Sequence, residues 1–313
     1  MVSLMGKQED DNLINSKFLS GNAEDVFSFF DSFDTRESLF SWMKTRKKNE
    51  PTIYDVDGPT DIVAVIPTSD MNSDRVKTTK ESIFKGFRQI YVESVKPYDP
   101  YFNYSHNANV GIAEALKLSP EWIVIANDDM VPRQRPERLS GAIREWDHSV
   151  TNVLFTNPPG EYHSFQRFIG RPNDLYKLIV TLHPNRSRIH RYKLWKKFGL
   201  KYVDALDVGK TGIASKITYR VVKPHLLTGS FTILSSKFVA HQEQVFDETF
   251  INGGEDSDLS LRLTKEEEKI GFIDYEIGDM VGTSLGSGWI RNIRNVVNEV
   301  YLSYKIEQNL TPI

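Results

Sequence analysis

Residues 121–130 read EWIVIANDDM: apolar β-formers run unbroken from Trp122 to Ala126 and stop on Asn127, Asp128 and Asp129. A short apolar run bounded by turn formers is the signature of a strand buried on both faces. Such a strand delivers its last carboxylates to the rim of a sheet. A hard cation such as Mg²⁺ or Mn²⁺ can use one or two of them there, completing its shell with phosphate oxygens and water. The plainer alternative is a strand followed by a polar turn, which Asn and Asp favour for local hydrogen-bonding reasons.

The same rhythm extends towards the N-terminus. Residues 61–70, DIVAVIPTSD, read as a strand, a helix is expected around Arg75–Lys85, and residues 88–94, RQIYVES, read as a second strand. A helix from about Ala108 to Leu118 then leads into Glu121. Near-continuous apolar strands alternating with helices predict an α/β domain with a mostly parallel sheet covered by helices on both faces. Ligands of such sheets sit outside the carboxyl ends of the strands. Pro67, Thr68, Ser69 and Asp70, then Glu93 and Ser94, then Asn127 to Asp129 all fall at those ends, so three polar clusters are expected on one rim.

Composition bounds the rest. The 313 residues, 39% hydrophobic and 12% aromatic, supply one large or two small cores. A formal charge of -3 gives no global footprint for nucleic acid, and the lack of cysteine removes disulfides and thiolate chemistry. The first residues, MVSLMGKQEDD, lack the apolar core of a signal peptide, and no run approaches the ~18 apolar residues of a membrane span. The expected location is the cytoplasm, with peripheral contact at the inner face of a membrane as a further option.

Residues 1–60 read as an N-terminal helical extension docked on the main domain. Its patch from Val26 to Met43 carries Phe27, Phe30, Phe33, Leu39, Phe40 and Trp42, and Pro51, Gly58 and Pro59 punctuate its end. Residues 61–153 form the first half of the sheet domain. Residues 154–224 are of different character: from Arg186 to Lys223 there are eleven Lys and Arg against Asp204 and Asp207. This is either a solvated face or a surface for anionic lipid head groups or a phosphate-bearing acceptor. Residues 225–288 form the second half, and residues 289–313 an amphipathic C-terminal helix with Ile293, Val296, Val297, Val300, Tyr301 and Tyr304 on one side. Within 225–288, Gly253-Gly254 closes a loop and Glu255-Asp256-Ser257-Asp258 opens a helix with Leu259, Leu261 and Leu263. Acidic residues at a helix N-terminus are favoured by the macrodipole and the free amides. Two adjacent carboxylates behind glycines can equally supply a general base.

In order and spacing these segments resemble the inverting GT-A glycosyltransferases of family 2, in particular their rhamnosyltransferase-like branch, from Asp61 to about Tyr304 with an interruption at 154–224. DIVAVIPTSD looks like the first nucleotide-binding strand and RQIYVES like the second. HNANVGIAEAL is similar to the loop and helix carrying Asn109 and Gly111. NDD resembles the metal motif in its Asn-x-Asp form, TGSFTIL the acceptor-side strand, and FDETFINGGEDSDLSLRL the segment whose Glu-Asp pair carries the base. The resemblance implies a GT-A, Rossmann-like fold. It implies a nucleotide-diphosphate sugar donor, a glycan or lipid-linked acceptor, and Mn²⁺ or Mg²⁺ as cofactor. Nucleotide binding would fall to Pro67, Thr68, Ser69, Asp70, Glu93, Asn109, Gly111, Asn127 and Asp128. Metal binding would fall to Asp129 and Asp279, acceptor binding to Gly229, Ser230, Gly253 and Gly254, and catalysis to Asp256 with Glu255 beside it. Two positions depart from the pattern: Glu93-Ser94 stands where relatives usually carry Asp-Asp, and Asp279 where they often carry histidine. A nucleotidyltransferase and a catalytically inactive nucleotide-sugar-binding module are the other classes. Against the former, no glycine-rich basic loop follows DIVAVIP to cradle a triphosphate.

Overall fold

The computed structural model describes residues 2–94, 99–157, 231–266, 268–279, 290–291 and 294–308. The basic block from Arg186 to Lys223, and Gly229 and Ser230, lie outside them. Three helices come first: α1 (Val2–Leu19), α2 (Ala23–Phe30) and α3 (Arg36–Thr45). The last begins at a capping box in which Thr35 and Ser38 satisfy each other's backbone amides.

Eight strands form one curled sheet: β1 (Pro51–Val56), β2 (Ile62–Thr68), β3 (Arg88–Ser94), β4 (Trp122–Ala126), β5 (Met130–Pro132), β6 (Val153–Asn157), β7 (Phe231–Ser235) and β8 (Ile270–Asp279). Their order is β1-β3-β2-β4-β7-β6-β8-β5. The later helices are α4 (Asp74–Glu81), α5 (Tyr104–Leu116), α6 (Pro136–Arg144), α7 (Ser236–Ala240), α8 (Glu255–Lys265) and α9 (Val296–Glu307).

The protein is α/β, and its sheet is mixed, which corrects the expectation of a mostly parallel one. β2 pairs in parallel with both β3 and β4, and β6 with β8, while β1–β3, β4–β7, β6–β7 and β5–β8 are antiparallel. An apolar run specifies a buried strand and not its direction. The helical extension is corrected too, because it ends in the edge strand β1. Four of that strand's six residues are exposed, so no buried pattern announces it.

Alternate side chains of the central strands feed two cores. Ile62, Ala64 and Ile66 with Trp122, Val124 and Ala126 face Val76 of α4 and Leu139 and Ile143 of α6. Val63, Val65, Ile123 and Ile125 face Ala108, Ile112 and Ala115 of α5 and Leu259 and Leu263 of α8. Gly111 lets α5 approach that closely, since a Cβ there would stand 2.4 Å from Val65 Cγ1 and 2.8 Å from Val92 Cγ2.

A third core joins the two ends of the chain. Phe18, Phe29, Phe30 and Trp42 pack with Phe250, Val296, Val297 and Tyr301. Ring centroids lie 5.0 Å apart for Phe18–Phe29 and Phe29–Trp42, and 4.9 Å apart for Phe250–Tyr301. The described parts of the extension's aromatic patch and of the C-terminal stripe are therefore core. Among the described residues no helix is long and apolar enough to cross a membrane.

One buried charge pins this assembly. Lys305, 1% exposed, sets its Nζ 2.8 Å from Asp247 Oδ2 and 2.7 Å from Asp258 Oδ1, and Tyr301 donates its hydroxyl hydrogen to Asp247 at 2.8 Å. Removing one member of a buried ion cluster strands the others and costs about 3–5 kcal/mol. Lys305→Met should lower unfolding stability by that amount in urea titration. Lys48→Met should change it by less than about 1 kcal/mol, because the Lys48–Glu248 pair at 3.5 Å is partly solvated. Equal losses from the two would contradict this account.

Candidate functional site

The carboxyl ends of β2, β3 and β4 form one rim. Thr68, the last residue of β2, donates its hydroxyl hydrogen to Asp128 Oδ2 at 2.7 Å, and Arg75 Nη2 stands 3.8 Å from the same oxygen. Burial raises the Asp128 carboxyl, Thr68 and Arg75 pull it back, and the charge of Asp70 adds to the rise. The turn carrying Asp128 is held from below by α4, where the Thr79 hydroxyl donates to the carbonyls of Asp128 and Met130 at 2.8 and 3.2 Å. Pro67 is buried within β2, whereas Ser69, Asp70 and Asn127 are half-buried on the turns above it. Glu93 at the end of β3 accepts from the Met71 amide at 2.6 Å and from the Tyr54 hydroxyl at 2.9 Å, so it fastens the turn after β2 to the edge strand. Asp129 is 2% exposed. Asp279 lies opposite Met130 in the β5–β8 register, one residue along from Asp129.

The second acidic cluster stands at the start of α8. Gly254 holds φ +92°, where an added Cβ would also press Phe250 at 3.0 Å, and its carbonyl accepts from the Asp258 amide. Asp256 Oδ1 accepts from the Ser257 amide at 2.7 Å. Glu255 is 7% exposed, and its Oε2 has no hydrogen-bond partner among the described residues. Burial first, and the Asp256 and Asp258 charges with it, push its carboxyl up to about 8 against the pull of the Glu255 and Gly253 backbone groups.

Side-chain amides place the loop that leads into α8. Asn103, the cap of α5, donates to the carbonyls of Glu248 and Phe250, each at 3.0 Å. Asn252 Oδ1 accepts from the Tyr104 amide, and Asn298 bonds both the amide and the carbonyl of Ile251. Asn109 spends its side chain on Phe246 and Glu248, and Gly111 serves the packing of α5 described above. Both therefore lie in the scaffold beneath the rim. Glu248 also meets His106 Nδ1 at 3.0 Å. Burial raises its carboxyl, but the hydrogen bonds and charges of His106, Asn109 and Lys48 bring it down to about 2.

The charges of both acidic clusters act on Tyr104. This phenol, in the first turn of α5, is raised well above its usual range by burial and then by the charges of Glu255, Asp256, Asp129 and Asp128. The residues expected from the strand ends and those expected from the helix start thus share one electrostatic neighbourhood. Tyr104, Thr79 and Arg75 were not singled out from the sequence as site residues. The signal for Tyr104 was Asn103, three residues before His106, which caps a helix starting four residues earlier than the apolar spacing suggests. Among the described residues no three His, Asp or Glu close on one point as a metal cage. No protein-family model matches the chain, and no curated protein matches it.

Because the folded state holds the Glu255 proton up to about 8 and the unfolded chain releases it near 4.5, stability should fall as pH rises through that window, by up to ~1.4 kcal/mol per pH unit. Glu255→Gln removes the ionisation. Its melting temperature should change less than wild type's between pH 5 and pH 8, and parallel profiles would refute the assignment.

Proposed function

We propose that the protein is an inverting, metal-assisted glycosyltransferase of the GT-A type that moves a sugar from a nucleotide-diphosphate donor to a hydroxyl of a glycan or lipid-linked acceptor. Two groups of carboxylates support this reading, Asp128 and Asp129 directly after β4 and Glu255 and Asp256 in the first turn of α8, and the charges of both act on Tyr104. A transferase of this kind needs a carboxylate to take the acceptor proton and positive charge opposite it for the leaving diphosphate.

Asp256 is the general base. It is more exposed than Glu255, and its position in the first turn of α8 lets it keep a fixed orientation through the Ser257 amide. Glu255, buried and inclined to hold a proton, shapes the field beside it. The donors at Asp129 and Asp128 fit a hard cation chemically, since both are carboxylates at a strand end. With no protein-only cage among the described residues, Mn²⁺ or Mg²⁺ would take most of its shell from the donor diphosphate and water. When bound it supplies charge for the leaving group. Glu93 and the turn it fastens face the nucleoside. A nucleotidyltransferase is less well supported: the turn Thr68–Ser73 contains no Lys or Arg to meet a triphosphate.

A thermal-shift screen of UDP-, GDP- and dTDP-sugars, each with and without Mn²⁺, should find a donor that raises the melting temperature only with the cation. Asp129→Ala should abolish that dependence. On the donor found, Asp256→Asn should leave fold and donor binding intact, because the amide is nearly isosteric and its oxygen can still accept from the Ser257 amide. It should cut transfer by ~10²- to 10⁴-fold. An inactive Glu255→Gln beside an active Asp256→Asn moves the base by one residue, and two active variants remove this loop from the chemistry.

A further inference from the structure

β5 leaves the rim directly after Asp129, and its residues divide between the two faces of the sheet. Met130 is buried in the core under α4 and α6, so Val131 lies on the opposite side of the strand. Across the ladder from Val131 is Gly278. A Cβ built on Gly278 would meet Arg133 Nε at 2.6 Å, Val131 Cγ2 at 2.9 Å and Arg133 Cζ at 3.1 Å. The guanidinium therefore folds back along β5 and lies on bare backbone of β8, a seat that only glycine leaves open.

That guanidinium is exposed, and among the described residues it enters no ion pair and no side-chain hydrogen bond. Arg75, Arg88, Arg144 and Arg262 each have a carboxylate partner. Among the described residues Arg133 is thus an unneutralised cation. It stands over the rung two residues from Asp129, roughly 7 Å at the strand rise of ~3.4 Å per residue. The rim that β5 leaves carries Asp128 and Asp129, whose charges act on Tyr104 together with those of Glu255 and Asp256, and a dianionic ligand entering there needs more positive charge than one divalent cation brings. A planar guanidinium meets phosphate oxygens two at a time and keeps its charge at any working pH.

We infer that Arg133 binds the diphosphate of the donor, holding the end that the cation at Asp129 does not reach, with Gly278 as the seat that aims it. This rests on the transferase reading above. The test is calorimetric titration of the full chain with UDP, GDP and dTDP in the presence of Mn²⁺, for wild type, Arg133→Met, Arg133→Lys and Gly278→Ala. For the diphosphate that wild type binds, Arg133→Met should weaken the dissociation constant by roughly 10- to 100-fold, the range for one charged hydrogen-bonding partner. Arg133→Lys should recover part of that loss, and Gly278→Ala should reproduce it by displacing the guanidinium. The ligand-free melting temperature of Arg133→Met should stay at the wild-type value. Should Gly278→Ala fail to fold, Arg133→Met decides. Wild-type affinity in Arg133→Met would overturn this inference alone, whereas wild type binding none of the three diphosphates would overturn it together with the transferase reading.

Discussion

A single ammonium group, buried and flanked by two carboxylates, fixes the geometry of the rest. Lys305 reaches from α9 to Asp247, before the glycine loop, and to Asp258, after it. The stretch bearing Glu255 and Asp256 is thereby held at both ends by one atom. Burying three charges costs several kcal/mol per ion before their attraction repays it. What such a cluster contributes is a unique arrangement: an apolar substitute would pack without choosing a register. Because α9 also forms the third core with the N-terminal helices, the two ends of the chain are coupled to the loop through the same helix.

Around that anchor, asparagine amides do what secondary structure does elsewhere. Asn103, Asn109 and Asn298 satisfy backbone groups of residues 246–251, a segment without a ladder of its own, and Asn252 ties its end to the start of α5 by accepting from the Tyr104 amide. Buried backbone polar groups left unpaired would cost about as much as lost hydrogen bonds. The loop can therefore be irregular and still be rigid. Two glutamates seven residues apart on this unit have opposite fates. Glu248 is surrounded by donors that drive its pKa down despite burial, while burial, and then the charges of Asp256 and Asp258, drive that of Glu255 up.

The central strands were legible because β2, β3 and β4 are near-continuous apolar runs buried on both faces, and burial of that kind leaves an unmistakable pattern. β1 was not, since its residues are mostly exposed and its partner supplies the order. The direction of β7 was equally unreadable: Phe231–Ser235 would look the same parallel or antiparallel, and the pairing with β4 is decided by how the chain returns. Of the site, the carboxylates at the strand end and the helix start could be read from sequence because they follow punctuating residues. Tyr104 could not, because a buried aromatic at a helix start looks like core until the tertiary fold sets it within the field of four acids. Asn109 and Gly111, to which the resemblance gave a nucleotide, have their described neighbours in the scaffold: Asn109 bonds Phe246 and Glu248, and Gly111 packs on Val65 and Val92.

The antiparallel pairing of β6 with β7 has a consequence for how this chain can change. Val153 opposes Leu234 and Leu154 opposes Ile233, so the chain departs at Asn157 and re-enters at Phe231 on adjacent strands. Whatever lies between is an excursion that begins and ends at one place on the scaffold. Lengthening such an excursion costs only about 0.6 kcal/mol for each doubling of its length. The two ends of the span from 158 to 230 thus meet on neighbouring strands, so a change in its length leaves the anchor points on the sheet where they are.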